Sequence, residues 1–193
     1  CRKKVSQRLM EDKISYAKTV YGEEEIAAVV QCLRESTQMG KRSRKFESSI
    51  AQLFCKKECL YVNSGSSALQ IGVEAFNFTC GGEIITPALT FGTTLSCILK
   101  NRLVPAFVDV EPLTYCIDTS KIEKMINEKT VGILAPDLLG NICDWPRIRQ
   151  IADKYNLKVL HDSADTLGAD LSGDPVGIFS DMSITSFYGS HII

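Results

Sequence analysis

Short apolar runs alternate with helical patterns along most of this chain, and that alternation constrains the fold more than any other feature. The runs are apolar throughout, which is typical of strands buried on both faces of a parallel sheet. The segments between them have the spacing of helices. We therefore predict the α/β class, with a mostly parallel sheet and helices on both faces. The predicted strands are 59–62, 83–86, 104–108, 131–135, 158–161 and 182–187, and the predicted helices between them are 66–76, 91–100, 119–128 and 144–155.

The first 55 residues have a different pattern. Apolar residues recur at helical spacing after the acidic turn Glu23–Glu25 and again from Phe46 to Phe54, which predicts two helices joined by a basic, solvated loop at 38–42. We divide the chain into an N-terminal helical arm, residues 1–55, and a large domain, residues 56–193. Because the chain starts without Met and ends without a polar tail, we expect a piece of a longer protein that lacks a C-terminal small domain.

The composition argues against several classes of function. Hydrophobic residues make up 45% of the 193 residues, and 22 Lys and Arg face 23 Asp and Glu. Such a charge balance gives no support to a nucleic-acid or membrane surface, which needs a basic excess. Eight cysteines without a Cys-x-x-Cys spacing, beside two histidines, do not predict a metal site. We interpret the cysteines as reduced, buried thiols of a cytoplasmic protein.

Ligands of parallel α/β sheets bind beyond the carboxyl ends of the strands, so the residues that follow each strand are the candidates for a site. Asn63-Ser64-Gly65-Ser66 opens a helix whose N–H groups would bind a phosphate, although a Ser-rich helix cap explains the same residues. After the next strand, Phe91 either stacks on a flat ligand ring or belongs to the core.

The later strands end in residues that can carry charge or move protons. Asp162 would pair with a protonated ring nitrogen, with a helix cap or an ion pair as the alternative. Ser186 offers a hydroxyl, and His191 is a candidate general acid or base, although an isolated histidine more often has a structural role. A phosphate loop, an aromatic ring, a carboxylate and a second hydroxyl are together the parts that hold pyridoxal phosphate.

In this order, the motifs resemble the sugar aminotransferases of the DegT/DnrJ/EryC1/StrS family, which have the aspartate aminotransferase (type I) fold of PLP-dependent transferases. The resemblance begins at about Ile14 and covers nearly the whole chain. It is carried by Gly-Lys-x-x-x-x-Phe-Glu at 40–47, Val-Asn-Ser-Gly-Ser-Ser-Ala at 62–68, Ile-Thr-Pro-Ala-Leu-Thr-Phe at 85–91, Phe-Val-Asp-Val at 107–110, His-Asp-Ser-Ala-Asp at 161–165 and Ser-Phe-Tyr at 186–188.

This resemblance implies how the chain would bind pyridoxal 5′-phosphate or its amine form, pyridoxamine 5′-phosphate. The backbone of Gly65 and Ser66 and the hydroxyl of Ser186 would hold the phosphate. Phe91 would stack on the pyridine ring, and Asp162 would pair with the ring nitrogen.

Two positions depart from the pattern of the family's aminotransferases. Asp165 stands where they usually carry Gln, near the phenolic oxygen of the cofactor. His191 stands where they carry the Lys that binds the cofactor covalently, and imidazole forms no stable imine with an aldehyde. The last lysine of the chain is Lys158, so no later lysine replaces it.

The histidine implies the dehydratase branch of the family. The expected reaction is removal of the 3-hydroxyl from a nucleotide-linked 4-keto-6-deoxyhexose of the GDP-4-keto-6-deoxymannose type, in deoxysugar biosynthesis, with glutamate as amino donor and His191 as the catalytic residue. The family also implies a homodimer. The alternatives are a CDP-4-keto-6-deoxyglucose 3-dehydrase coupled to an iron–sulfur centre, a PLP-dependent sugar aminotransferase, and a noncatalytic relative.

Overall fold

A computed structural model describes residues 20–189 and residue 191, so the start of the resemblance near Ile14 lies outside the described residues. The described residues form six α-helices and seven strands. The helices are α1 (Glu23–Glu35), α2 (Lys41–Leu53), α3 (Gly65–Ala75), α4 (Gly92–Lys100), α5 (Thr119–Met125) and α6 (Trp145–Tyr155). The strands are β1 (Glu83–Pro87), β2 (Val104–Val108), β3 (Thr130–Pro136), β4 (Lys158–Asp162), β5 (Asp170–Leu171), β6 (Asp174–Pro175) and β7 (Met182–Ile184).

Five of the strands form one sheet in the order β2-β1-β3-β4-β7, and every pair in it is parallel. Their carboxyl ends therefore lie at one edge of the sheet. β5 and β6 form a short antiparallel hairpin outside this sheet. The predicted α/β class and its parallel sheet are confirmed.

Helices cover both faces of the sheet, as predicted. On one face, the buried side chains of α5 and α6, including Ile122, Trp145 and Ile148, pack against Ile133 and Val159 of the central strands. On the other face, α3 and α4 pack against the alternate strand residues, among them Leu134 and Leu160. Side chains of a strand point alternately to its two faces, so each central strand contributes to both cores.

Two predicted strands differ from the structure. Residues 59–62 form no strand, because the backbone N–H of Tyr61 donates to the Glu47 carboxylate at 2.9 Å rather than to a neighbouring strand, and Leu60 and Tyr61 are exposed. The predicted strand 182–187 ends at Ile184, where its pairing with β4 ends at Asp162. The other four strands and the four helices that were predicted between the strands are confirmed to within a few residues.

The two N-terminal helices are confirmed, but the basic segment between them is not wholly a loop, because Lys41 and Arg42 begin α2. α1 has no buried residue, and its apolar side chains Val29 and Leu33 are exposed. The end of α2 is different, since Phe54 is buried against the ring of His161, with 6.1 Å between the ring centroids. The division of the chain at residue 55 stays a prediction.

The segment after α2 is anchored to the turn Val176–Phe179. The Lys56 ammonium donates to the backbone carbonyl oxygens of Gly177, at 2.7 Å, and of Ser180. Burial lowers the pKa of this lysine. Gly177 lies so close to the Phe54 backbone that an added Cβ would stand 2.1 Å from the Phe54 carbonyl oxygen. A side chain at position 177 is therefore excluded unless the backbone moves.

The seven cysteines that the structure describes are free thiols, but only Cys97, Cys116 and Cys143 of them are buried. The prediction of buried thiols is therefore wrong for Cys55 and Cys80, which are exposed because both lie just outside the helices and strands that form the core. Over the described part of the chain, no helix combines the length and apolar character that crossing a membrane requires.

We predict that Gly177→Ala destabilises the full-length protein by about 1–3 kcal/mol, because the new methyl group meets backbone atoms that cannot rotate away. Gly92→Ala is the matched control, since nothing lies within 4 Å of a Cβ at that position in α4. Urea denaturation followed by circular dichroism measures both changes. Equal stability of the Gly177→Ala variant and the wild type would show that the contact between residues 54 and 177 is not rigid.

Candidate functional site

Five of the predicted site residues lie at or after the carboxyl ends of the strands: Phe91, Asp162, Asp165, Ser186 and His191. Gly65 and Ser66 begin α3 instead, and Gly65 lies next to Ser186. β1 has β2 on one side and β3 on the other, so the chain changes its direction of winding at β1. In sheets of this kind a crevice opens at such a point, outside the carboxyl ends of the strands. Asp162 ends β4, and Ser186 follows two residues after β7.

Ser64 and Gly65 start α3 next to Ser186. The Ser64 hydroxyl accepts a hydrogen bond from the Ser67 N–H at 3.1 Å, so the Ser-rich segment does cap the helix. An added Cβ at Gly65 would lie 3.1 Å from the Ser186 Cβ and 3.3 Å from its Oγ. The absence of a side chain at position 65 thus lets the first turn of α3 approach the Ser186 hydroxyl. Helix N–H groups and a hydroxyl at one place form an anion site.

Asp162 is a buried carboxylate that lies on the face of the sheet covered by α3 and α4. Its oxygens accept hydrogen bonds from the Ala164 N–H at 3.2 Å and the Thr94 hydroxyl at 3.5 Å. Burial raises the pKa of Asp162 to about 6, with Asp165 and Asp137 adding to the shift and the Ala164 hydrogen bond and His161 opposing it. Such a carboxylate gains most from a cationic partner, because a positive charge offsets the cost of burying its ionised form.

Phe91 precedes α4, with 71% of its surface exposed. The alternative of a core phenylalanine is therefore wrong, and the ring is accessible to a flat ligand. Nearby in sequence, the hydroxyls of Thr86, at the end of β1, and Thr90 are buried without a hydrogen-bond partner among the described residues. Buried hydroxyls of this kind are usually paired, so a polar ligand or water at this edge would satisfy them.

His191 lies next to Asp165, with 3.9 Å between His191 Nε2 and Asp165 Oδ1. Both side chains are about a quarter exposed, at 24% and 29% respectively. The other Asp165 oxygen accepts a hydrogen bond from the Leu139 N–H at 3.0 Å. The edge of the Tyr188 ring faces His191, with 5.5 Å between the ring centroids. The structure thus places a histidine and a carboxylate together.

The opposite face of the same strands carries a buried polar cluster that the sequence did not predict. Asp137, directly after β3, accepts hydrogen bonds from His161 Nε2 at 2.8 Å, Trp145 Nε1 at 2.9 Å and Thr166 Oγ1 at 3.1 Å. The Cys143 N–H is a fourth donor, at 2.8 Å. A histidine within the apolar run of β4 was the available signal, because a buried polar side chain needs a partner.

Chemically, the described groups suit a phosphorylated aromatic cation. The first turn of α3 with Ser186 fits a phosphate, the exposed Phe91 ring fits stacking, and the buried Asp162 carboxylate fits a protonated ring nitrogen. Thr94, which donates to Asp162, was missed at the sequence level because a Thr inside an amphipathic helix carries no distinctive pattern. Among the described residues, no group of three or more His, Cys, Asp or Glu side chains is arranged to hold a metal ion.

The fold and this edge of the sheet define an α/β cofactor-binding domain, and comparison with known proteins gives the family. The chain belongs to the DegT/DnrJ/EryC1/StrS aminotransferase family, whose model matches residues 20–193. The lipopolysaccharide biosynthesis protein RfbH of Salmonella typhimurium is 37% identical over 162 residues, which are 80% of this chain and 37% of RfbH.

Solved structures agree with this membership. The PMP-form of the putative sugar aminotransferase Spr1654 from Streptococcus pneumoniae has a TM-score of 0.86 at 26% identity, covering 93% of this chain and 49% of Spr1654. The E. coli GDP-4-keto-6-deoxy-D-mannose-3-dehydratase with bound hydrated PLP has a TM-score of 0.78 at 27% identity, covering 84% of this chain and 43% of that enzyme. This chain spans less than half the length of each of these three proteins.

The raised pKa of Asp162 predicts a pH dependence of stability for the full-length protein without cofactor. The pKa is about 6 in the folded state and about 3.9 in an unfolded chain, so the folded state binds the proton more tightly. The Asp162 contribution to the free energy of unfolding therefore falls as the pH rises from about 4 to about 6.

Urea denaturation at several pH values, with Asp162→Asn as the matched variant, isolates this effect. The stability difference, wild type minus variant, should decrease with rising pH across that window and level off above it. A difference that stays constant, or increases with pH, would contradict the burial of an uncompensated carboxylate at this position.

Proposed function

We propose that this chain is the cofactor-binding part of a pyridoxal-phosphate-dependent 3-dehydratase that acts on a nucleotide-linked 4-keto-6-deoxyhexose, of the GDP-4-keto-6-deoxymannose type. The proposal depends above all on His191. The resemblance places this histidine where the family's aminotransferases carry their cofactor-binding lysine. Its imidazole lies 3.9 Å from the Asp165 carboxylate and would transfer protons to and from the cofactor and the sugar.

When bound, the cofactor supplies an amino group, received from glutamate, and a ring that accepts electrons from bonds broken next to it. Asp162 would keep the ring nitrogen protonated, which strengthens that electron acceptance. The first turn of α3 and the Ser186 hydroxyl would bind the phosphate, and Phe91 would cover one side of the ring.

His191 has two tasks in the proposed reaction. It would remove a proton from the 4′ carbon of the cofactor, and it would return a proton to the 3-hydroxyl as that group leaves the sugar as water. An imidazole suits both tasks, because it accepts and donates protons near neutral pH. Overall, glutamate and the 4-keto sugar would give 2-oxoglutarate, ammonia and the 3-deoxy sugar, so no amino group would remain on the product.

The comparisons support a nucleotide-sugar enzyme more firmly than they support dehydration. The E. coli relative is a 3-dehydratase with bound hydrated PLP, a noncovalent form that fits a site with histidine in place of lysine. Other relatives are named as 3-dehydratases or as aminotransferases. Transamination is therefore the second candidate, supported by the likeness to Spr1654.

The proposal includes a homodimer and a cytoplasmic location. The homodimer follows from the family resemblance. The cytoplasm suits a chain whose described cysteines are all free thiols, because disulfides form and persist mainly in oxidising compartments.

We predict that the full-length protein, supplied with pyridoxal phosphate, glutamate and GDP-4-keto-6-deoxymannose, releases ammonia and a 3-deoxy sugar. Ammonia is measured in samples taken after the reaction is stopped, and the sugar is identified by mass spectrometry. His191→Asn should bind the cofactor yet lose about 10²–10⁴-fold of the rate, because the proton-transferring group is gone.

The possible products separate the candidate functions. An amino sugar without ammonia would identify an aminotransferase. A requirement for an added iron–sulfur reductase and a CDP-linked sugar would identify the other dehydrase. No binding of either cofactor form by the folded protein would indicate a noncatalytic relative.

A second prediction concerns the link between the cofactor and the chain. Borohydride treatment of the wild-type protein with pyridoxal phosphate should fix no cofactor to the polypeptide, because imidazole forms no reducible imine. His191→Lys should become labelled at position 191 and should lose most dehydration activity. Peptide mass spectrometry locates any adduct, and a lysine adduct in the wild type would contradict the role given to His191.

A further inference from the structure

Two hydrogen bonds join the loop after β3 to the loop after β4. Each loop supplies one carboxylate that accepts a hydrogen bond from the other loop. Asp137, on the first loop, accepts the hydroxyl hydrogen bond of Thr166, on the second, at 3.1 Å. Asp165, on the second loop, accepts the Leu139 N–H of the first at 3.0 Å. One oxygen of Asp165 is therefore held by the Leu139 N–H, and the next residue, Thr166, is held by Asp137.

The remaining oxygen of Asp165 faces His191. Its distance to Nε2 is 3.9 Å, which is within the range of an ion pair and longer than a hydrogen bond. The other ring nitrogen, Nδ1, is buried and has no hydrogen-bond partner among the described residues. An ionised carboxylate only accepts hydrogen bonds, so it favours the tautomer that carries its proton on Nε2 and leaves the lone pair on Nδ1.

We infer that Asp165 is a positioning residue that holds His191 in the Nε2–H tautomer, with the lone pair on Nδ1. The catalytic use of this pair rests on the proposed function, whereas the tautomer itself does not. The inference replaces the role in which Asp165 contacts the phenolic oxygen of the cofactor. A carboxylate cannot donate a hydrogen bond to an anionic oxygen, and two negative charges side by side repel.

Asp165→Asn is a sharp test, because the Leu139 N–H still requires an acceptor. The single carbonyl oxygen of Asn would take that hydrogen bond and turn its NH₂ group toward His191. A donor at this place reverses the preference and moves the imidazole proton from Nε2 to Nδ1. The isosteric change of a part-exposed side chain keeps the backbone contact, so the variant should fold.

The measurement is the ¹⁵N–¹H long-range NMR spectrum of the full-length protein labelled at histidine, with His191→Gln used to assign the signal. The wild type should show protonated Nε2, and Asp165→Asn should show protonated Nδ1. Asp165→Glu, which keeps the carboxylate, should retain the wild-type tautomer. Asp174→Asn, a change of the same kind in the hairpin, should leave the His191 signals unchanged.

Kinetics and cofactor titration complete the test. If dehydration is confirmed, Asp165→Asn should lower kcat by about a hundredfold or more, as the wrong tautomer does in a catalytic His–Asp pair, with KM and cofactor affinity within about twofold of wild type. Asp165→Glu should recover part of that loss. In a protein that already carries His191→Asn, Asp165→Asn should lower kcat little further, because both changes act through the same imidazole.

The outcomes of these measurements separate the two ideas. An unchanged His191 tautomer in Asp165→Asn would overturn the inference whatever the enzyme does. A shifted cofactor absorbance with an unchanged tautomer would also overturn it, and would return Asp165 to a cofactor contact. A reversed tautomer in a protein that shows no dehydratase activity would uphold the inference while the proposed function fails.

Discussion

The buried carboxylate of Asp137 is the contact on which the geometry of the site depends. Its four donors come from β4, from the start of α6 and its preceding loop, and from the loop after β4. A buried charge that loses one partner costs several kcal/mol, so these segments are held in one arrangement. Asp162 and Asp165 lie between two of these donors, His161 and Thr166, so the contacts of Asp137 also set their positions. The cluster thus fixes the carboxyl edge of the sheet from the face opposite to Asp162.

Adjacent residues of β4 have separate tasks because a strand alternates its side chains. His161 points toward α6, where it contacts the Trp145 ring and Asp137. Asp162 points toward α4, where its hydroxyl partner is weakly placed at 3.5 Å and burial keeps its pKa near 6. On one face the protein itself satisfies the Asp137 carboxylate, and on the other it leaves the Asp162 carboxylate for a cationic ligand to satisfy. The first arrangement gives rigidity, and the second gives binding energy.

The sequence predicted those parts of the molecule that depend on local patterns. The helix predicted over 144–155 forms, with Asp144 accepting the Arg147 N–H at its start, and α3 begins at the small residues, because capping and turn chemistry act over a few residues. Strand pairing is not local, which explains why residues 59–62 fit a strand pattern yet pair with no strand. The Asp137–His161 pair joins positions that are 24 residues apart, and the pair of Asp165 with His191 joins two loops. No spacing rule predicts such contacts, although a polar residue in an apolar strand signals that one exists.

Replacing a covalent attachment with a histidine changes what the rest of the site must do. A lysine holds its cofactor through a bond, so weak contacts elsewhere are tolerated. In the proposed site, with histidine at position 191, the phosphate contacts at α3 and the charge of Asp162 would have to retain the cofactor by themselves. The fraction of protein molecules with bound cofactor then depends on the cofactor concentration, and so does any stability that binding adds. In the proposed function, the close approach of Gly65 to Ser186 and the buried Asp162 carboxylate would both serve that need, because each would interact with the ligand. The same requirement explains why a fixed Asp165 favours the proposed chemistry. A free imidazole can turn away from a cofactor that is not bonded to it. An imidazole paired with an anchored carboxylate is held in place.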